Sequence, residues 1–173
     1  ANFSQNYRSI NFNDMRVLNA NAQVDPNLKD ESGYTADGGI RGMIKNILFY
    51  DLGGFFINYK NRIGTILKAD TVSYNIMRYR TNISDSRNAG VEAFAELDWA
   101  KLFNKDAQHK ISTFVNASFI NAIYVSSRQS AYNNKQVEYV PKIIFRTGLT
   151  YAYKKISLTC QYAYTSQQFS DAD

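Results

Sequence analysis

Residues 156–166 alternate between apolar and polar side chains almost without exception. A period of two over about ten residues is typical of a β-strand whose two faces meet different surroundings. About 9–11 residues is also the length that a tilted strand needs to cross a bilayer. The apolar row is Ile156, Leu158, Cys160, Tyr162 and Tyr164, and the polar row is Ser157, Thr159, Gln161, Ala163 and Thr165. The segment therefore predicts either a half-buried strand of a soluble sheet or a strand of a membrane barrel with a polar lumen.

Other segments show the same period, and together they predict an all-β, antiparallel, up-and-down arrangement. The further strands are predicted at Ser32–Met43, Leu48–Tyr59, Asn88–Leu97, Lys110–Tyr124 and Val140–Tyr153. Residues 1–31 are predicted to be irregular, residues 60–86 to form a long polar connection with some strand character at Tyr74–Arg80, and residues 126–136 to form a polar loop.

The lengths of the connections alternate along the chain. Lys45-Asn46 and Lys154-Lys155 are short, 98–109 is of medium length, and 60–86 and 125–139 are long. Outer-membrane barrels have short periplasmic turns and longer extracellular loops. This rhythm predicts that residues 1–31, the two long loops and the tail after Ser166 lie outside the cell. It also predicts that Trp99 and Phe103 belong to a periplasmic aromatic girdle.

The amino-acid composition argues against several classes of protein. No stretch of the 173 residues approaches 18 consecutive apolar residues, so no membrane-spanning helix is predicted. The 13 tyrosines and 11 phenylalanines favour strands and interfacial girdles. The net charge of +5 is scattered rather than clustered, which disfavours a nucleic-acid partner. Cys160 is the only cysteine, so an intrachain disulfide and a cysteine-based zinc cluster are excluded, and a small packing role is predicted for it.

The sequence carries no recognisable catalytic arrangement. His109 is the only histidine and is predicted to lie in a polar turn, so Ser-His-Asp chemistry has no support. Glu92 and Glu96 are interpreted as solvated lumen carboxylates. Gly38-Gly39 and Gly53-Gly54 lack the Lys-Ser/Thr and helix of a phosphate loop, and they are interpreted as close packing in the wall. We therefore predict no enzyme, no catalytic residue, no metal site and no cofactor.

Four segments carry a family resemblance. They are Tyr7-Arg8-Ser9-Ile10 followed by Asn11–Asp14, Pro26–Glu31 followed by a strand with Gly38-Gly39, Phe55–Ile63, and Asn82–Glu92. In this order they resemble the barrel motifs of TonB-dependent outer-membrane receptors, and they come closest to the ferric-dicitrate-type receptors of Bacteroidetes-like bacteria. Ser9-Ile10 departs from the pattern, since a proline is usual there.

The resemblance implies a 22-stranded transmembrane barrel with an N-terminal plug. The implied function is active transport of a ferric chelate or another small ligand, with energy from a TonB complex that pulls on the plug. This chain shows no plug, no TonB box and no apolar C-terminal strand. We therefore expect residues 1–173 to be an internal part of the barrel domain, with about six to eight strands. The implied partners are outer-membrane lipid, the ligand and TonB, and the implied location is the bacterial outer membrane.

Arginines near the predicted extracellular mouth are the candidate ligand-binding residues. They are Arg8, Arg16, Arg78, Arg80, Arg87 and Arg128, with Tyr79, Tyr132 and Asn134 as further candidates. Arginine binds carboxylates in a bidentate manner, so a ring of arginines would suit an iron–citrate chelate. The simpler interpretation is a solvated loop charge or an ion pair with Asp85, Glu31 or Glu138.

The barrel interpretation assigns the two faces of each strand. The predicted lipid-facing rows are Leu48/Tyr50/Leu52/Phe56, Val91/Ala93/Leu97, Ile111/Val115/Phe119, Phe145/Leu149/Tyr151/Tyr153 and Ile156/Leu158/Tyr162/Tyr164. The predicted lumen residues are Asp51, Glu92, Glu96, Asn116, Ser118, Arg146, Thr150, Thr159 and Gln161. The alternative is a non-catalytic structural or adhesive β-domain, either a complete small membrane barrel or a soluble sandwich.

Overall fold

A computed structural model describes residues 1–17, 21–69, 75–103, 108–127 and 133–170. The elements in chain order are β1 Asn2–Arg8, α1 Phe12–Met15, β2 Ala22–Val24, β3 Glu31–Ile44, β4 Leu48–Ala69, β5 Ile76–Asp98, α2 Trp99–Phe103, β6 His109–Ser127, β7 Ile143–Tyr153 and β8 Ile156–Thr165. Neither of the helices in these ranges is long and apolar enough to cross a bilayer. The predicted all-β class is confirmed.

The eight strands form one sheet in the order β1-β3-β4-β5-β6-β7-β8, with β2 beside β5. All neighbours on the main path are antiparallel, as the up-and-down prediction requires, and only the short β2–β5 pair is parallel. A soluble sandwich needs two facing sheets, and the described residues form a single sheet whose outer strands, β1 and β8, do not pair with each other. The arrangement is therefore an open section of barrel wall.

The strand register aligns the apolar rows from one side of the sheet to the other. One continuous line across β4 to β8 consists of Leu52, Ala93, Ala117, Phe145 and Tyr164. The same pairings place all the predicted lipid-facing rows on one face and all the predicted lumen residues on the other face. The predicted division of the strands into two faces is confirmed.

The apolar face is not a protein core. Val91 is 57% exposed, Phe119 53% and Leu149 48%. Among the described hydrophobic residues, those that count as buried are Ile63, Ala122, Tyr124 and Val137. The last three pack together where residues 133–140 fold back onto β6. A sheet with so little interior cannot owe its stability to one face burying against protein, because hydrophobic burial is the main favourable term in folding.

The prediction of a long loop at residues 60–86 is wrong, because β4 continues to Ala69 and β5 begins at Ile76. Backbone pairing continues from Arg62↔Ser84 to Ala69↔Ile76, after an irregularity near Asn61, whose φ is 57°. Alternation fails to reveal this extension because residues 62–69 do not alternate between apolar and polar side chains. Residues 70–74, including Tyr74, lie outside the described residues.

The prediction that residues 1–31 are irregular is also wrong. β1 pairs with β3 from Asn2↔Asp37 to Arg8↔Glu31, and Phe3 stacks on Tyr34 at 5.9 Å between ring centroids. Polar side chains occupy most of β1, which masks its period of two.

The short connections agree with the prediction. Lys45 and Asn46 adopt φ values of 50° and 55°, which is the left-handed geometry of a tight hairpin turn, and Lys154 has a φ of 52°. The predicted Trp99 turn contains α2, while residues 104–107 lie outside the described residues. Asp98 donates its backbone N–H to Ile47 O at 2.9 Å, so α2 and the β3–β4 turn lie at the same end of the sheet.

Candidate ligand-binding site

The segment that joins β1 to β3 is fixed by one buried carboxylate. Asp14, in α1, is only 2% exposed. Its Oδ2 accepts from Arg8 Nη2 and its Oδ1 accepts from Arg80 Nη2, both at 2.7 Å. The sequence places Asp14 there through a capping box, in which Asn11 and Asp14 each bond the other's backbone N–H with their side chain.

The charge of Asp14 is stabilised by its arginine partners. Burial by itself would raise the pKa of Asp14, but the hydrogen bonds from Arg80 and Arg8 outweigh burial and lower the pKa from 3.8 to about 2. Arg8 also lies 3.4 Å from Glu31, so two arginines alternate with two carboxylates. The cluster therefore links β1, α1, β3 and β5 with charges that nearly cancel.

The remainder of the connection is held on β5. Thr81 Oγ1 donates to Asp25 Oδ2 at 2.6 Å. Asn82 accepts from Lys29 N and donates to Lys29 O, each at 2.8 Å, and it also donates to Asn61 O. β2 also pairs in parallel with Arg78–Arg80. These bonds together attach the β1–β3 connection to the extended part of β5.

Three of the six predicted arginines line one cleft between this connection and the β4–β5 extension. The cleft has a volume of about 450 Å³ and contains Arg16, Arg78 and Arg80, with Asn13, Asp14 and Thr65 nearby. Arg16 and Arg78 are exposed, and neither has an acidic partner within the described residues. We call this space the arginine cleft, and it is suited to an anionic group.

A second cleft of about 450 Å³ lies on the lumen face. Its lining includes Arg8, Glu31, Tyr59, Arg62 and Glu138. Arg62 lies over the Tyr124 ring, and Tyr124 donates to Glu138 Oε2 at 2.6 Å. Sequence reasoning missed Arg62 as a cleft residue because it assigned residues 60–86 to a loop. The register of β4 shifts at Arg62, and such an irregularity interrupts the alternation by which a strand is recognised.

The remaining candidate arginines are not brought into the arginine cleft. Arg8 is engaged by Asp14 and Glu31, so the ion-pair interpretation is correct for Arg8. Arg87 pairs in register with Asn58 and Ile123, which places it in the same row as Ala89 and Val91. It therefore lies on the apolar face. Arg128 lies outside the described residues.

The further candidates are dispersed. Tyr79 lies under the ammonium group of Lys68, with Nζ 4.7 Å from the ring centroid. Asn134 belongs to a turn and donates its backbone N–H to Tyr124 O. Tyr132 is outside the described residues.

The described residues contain no metal centre of the usual kind. Nowhere among them do three histidine, cysteine or acidic side chains come close enough together to hold a metal ion. His109, predicted in a turn, is the first residue of β6. Its ring stacks on Tyr153 at 4.4 Å, and its Nδ1 lies 2.7 Å from Tyr151 Oη. This histidine therefore belongs to the aromatic group at the short-turn end.

Comparisons with known proteins agree with the geometry. A family model described as "TonB dependent receptor-like, beta-barrel" matches residues 1–173. The solved structure of the copper transporter OprC is similar, with a TM-score of 0.65 at 14% identity. The similarity covers 98% of this chain and 25% of the OprC chain, so this chain spans about a quarter of that protein. No curated protein matches the sequence.

Proposed function

Because this chain belongs to the TonB-dependent receptor-like β-barrel family, we propose that it forms part of the wall of an outer-membrane receptor that imports a ferric chelate with energy from TonB. Residues 1–173 are an internal part of the barrel domain in this proposal. The remaining wall strands, the plug and the TonB contact belong to other parts of the receptor. The role is that of a transporter, not an enzyme.

The observation that carries the proposal is the exposed apolar face. On β4 the apolar band extends from Leu48 to Phe56. This segment is nine residues long, which matches the length that a tilted strand needs to cross a bilayer. Phe3, Tyr34 and Phe56 stack in succession at one edge of this band. Trp99 and Phe103 stack at the other end. Aromatic girdles on both sides of an apolar band are typical of membrane barrels.

The orientation follows from the lengths of the connections. The β3–β4 and β7–β8 turns and α2 lie at the short-turn end, which we assign to the periplasm. The extended β4–β5 hairpin and the arginine cleft lie at the other end, which we assign to the cell exterior. A ligand that arrives from outside would therefore meet Arg16, Arg78 and Arg80 first.

The chemistry of the arginine cleft favours an anionic chelate as the ligand. Arg16 and Arg78 are exposed cations, whereas Arg80 donates from Nη2 to Asp14 and from Nη1 to Thr65. Carboxylates of a ferric citrate complex can accept bidentate hydrogen bonds from such groups. Copper is the alternative ligand, because OprC is described as a copper transporter. The similarity to OprC is one of fold, however, and does not itself identify the ligand of this chain.

The test is a binding titration of ferric dicitrate with the intact receptor in detergent. The Arg16→Gln/Arg78→Gln variant should bind at least about tenfold more weakly, since charge-assisted hydrogen bonds contribute about 1.5–3 kcal/mol each. Arg87→Gln is the matched control, because Arg87 lies on the apolar face, and it should bind normally. Binding of copper(II) but not of ferric dicitrate by the unmodified receptor would contradict the proposal.

Dependence on TonB needs a separate measurement. Uptake of the radiolabelled chelate by cells should stop when TonB is deleted, while binding to the cell surface persists. Continued accumulation without TonB would contradict the active-transport part of the proposal.

A further inference from the structure

The short-turn end of the sheet is positively charged. Lysine occurs at each described connection there: Lys45 in the β3–β4 turn, Lys101 in α2, Lys110 at the start of β6, and Lys154 and Lys155 in the β7–β8 turn. All five side chains are exposed. In the described connections at this end, Asp98 is the one acidic residue, and it pairs with Lys101 at 3.0 Å.

The lysines lie beside the aromatic residues that mark the edge of the apolar band. Trp99 donates to Thr113 Oγ1 at 3.0 Å, and Thr113 lies in the row of Leu48 and Leu97 on the apolar face. Tyr153 lies in the row of Ile156, and Lys154 Nζ is 5.0 Å from the centroid of the Tyr153 ring. Lys154, and Lys155 beside it in the same turn, are therefore positioned just beyond the side chains that would meet the headgroup region.

From this juxtaposition we propose that Lys45, Lys154 and Lys155 form a binding surface for the phosphate groups of anionic phospholipids in the adjacent leaflet, whereas Lys101 is engaged by Asp98 and Asn46. An ammonium group near a bilayer surface attracts anionic headgroups, and a long lysine side chain can extend its charge from an apolar stem into the headgroup layer. The partner is lipid because the lysines border a membrane-facing aromatic belt. The inference rests on the proposed membrane-spanning role, and it does not depend on the transported ligand.

The test measures which lipid the intact receptor prefers. The receptor is reconstituted into phosphatidylcholine vesicles that carry a trace of spin-labelled phosphatidylglycerol or spin-labelled phosphatidylcholine. Labelled phosphatidylglycerol should associate about fivefold more strongly with the protein surface at low salt. The preference should decrease as salt is added, because exposed charges are screened.

Matched variants assign the preference to the lysines. Lys154→Gln/Lys155→Gln should reduce it to about twofold, with the other lysines retained. Arg41→Gln/Arg146→Gln removes the same charge from the lumen face and should leave the preference unchanged. A similar reduction in both variants would overturn the inference, since it would show an effect of net charge alone.

The unmodified receptor decides the question without any variant. Equal association of the two labelled lipids at low salt would overturn the inference and would assign the lysines to a water-soluble acidic partner or to solvent. Insertion without a headgroup preference would contradict this inference only. Failure to insert into vesicles would contradict the proposed membrane-spanning function as well.

Discussion

Asp14 and Arg80 are 66 residues apart in the sequence, yet Arg80 Nη2 donates to Asp14 Oδ1 at 2.7 Å. The bond joins a one-turn helix to the extended part of a strand that belongs to the barrel wall. Because Asp14 also accepts from Arg8 at 2.7 Å, a single carboxylate ties the first part of the β1–β3 connection to both β1 and β5.

Replacement of Asp14 by Asn should loosen this connection and leave the wall intact. A fall in pKa from 3.8 to about 2 corresponds to about 2 kcal/mol of stabilisation of the folded arrangement. Hydrogen–deuterium exchange should accelerate over residues 9–30, with little change in β6 to β8. Faster exchange throughout the sheet would contradict a local role.

The effect of acid on this cluster has a defined sign. The pKa of Asp14 is lower in the folded protein than in the unfolded chain, so the stabilisation is complete above the ordinary value of 3.8. It is lost as the pH falls through about 2. Exchange of the connection should therefore be constant at neutral pH and rise below about pH 4 in the unmodified protein. The Asp14→Asn variant should show a smaller rise, because Asp30 still titrates there: hydrogen bonds from Tyr7 and the Ile10 N–H lower its pKa as well.

Leu149 and Thr150 provide a direct test of the two faces, because they are neighbours on β7 with opposite orientations. Leu149 pairs with Thr113 and Cys160, while Thr150 pairs with Ser112 and Thr159. Leu149→Arg should cost about 2–4 kcal/mol if its row contacts the middle of the bilayer, and Thr150→Arg should have a mild effect. Refolding into lipid vesicles across a urea series measures both values. Equal tolerance of the two arginines would contradict the assignment of faces.

The sequence predicts the part of the fold in which one face of the sheet is apolar and the other is polar. In β7 and β8, apolar residues such as Leu149 and Leu158 alternate with polar ones along the strand. The strands and the orientation of their side chains could therefore be predicted correctly from the alternation. In the Arg62–Ala69 part of β4, Ile63 is buried while Thr65 and Leu67 are exposed, so the backbone pairing with β5 leaves no regular pattern in the side chains. The predicted turns at Lys45-Asn46 and Lys154-Lys155 were recovered because a connection of two or three residues between alternating segments admits little else.

The candidate site was recovered less well, since its geometry depends on long-range packing. Arginine chemistry selected Arg16, Arg78 and Arg80, which line one cleft. The same reasoning placed Arg87 near the mouth, because the predicted strand began at Asn88 and left Arg87 just outside the strand register, whereas the structure places it within β5 on the apolar face. The role of Asp14 was also missed, although the capping box at Asn11 was a local signal for it.

Gly38 and Gly39 should differ in their tolerance of a methyl group. A Cβ at Gly39 would lie 2.6 Å from Leu52 O, a backbone atom of the neighbouring strand, whereas a Cβ at Gly38 would have Ala1 Cβ at 3.7 Å as its nearest neighbour. Gly39→Ala should therefore destabilise the sheet by about 1–3 kcal/mol, since the backbones must separate. Gly38→Ala should be neutral or slightly stabilising. Heat-induced loss of the folded band on gels measures both, and equal midpoints would contradict close packing at Gly39.

Asn82 should be the most sensitive amide at the mouth. It is 4% exposed, and its side chain accepts from Lys29 N and donates to the carbonyl oxygens of Lys29 and Asn61. Asn82→Asp keeps the shape and the acceptor but removes both donated bonds, so that a carboxylate faces two carbonyl oxygens. Loss of a buried partner costs about 1–3 kcal/mol, and more where a charge is involved.

The consequence of Asn82→Asp should be confined to the elements that this amide joins. The amide hydrogen of Lys29 should exchange faster, and protease should cut the β1–β3 connection sooner, because repulsion between the new carboxylate and the carbonyl oxygens of Lys29 and Asn61 separates the connection from β5. Asn134→Asp is the matched control, since Asn134 is exposed in a turn with a φ of 62°, a conformation that Asp also tolerates. Unchanged protection of Lys29 in Asn82→Asp would show that β2 and Asp25 hold the connection without this amide.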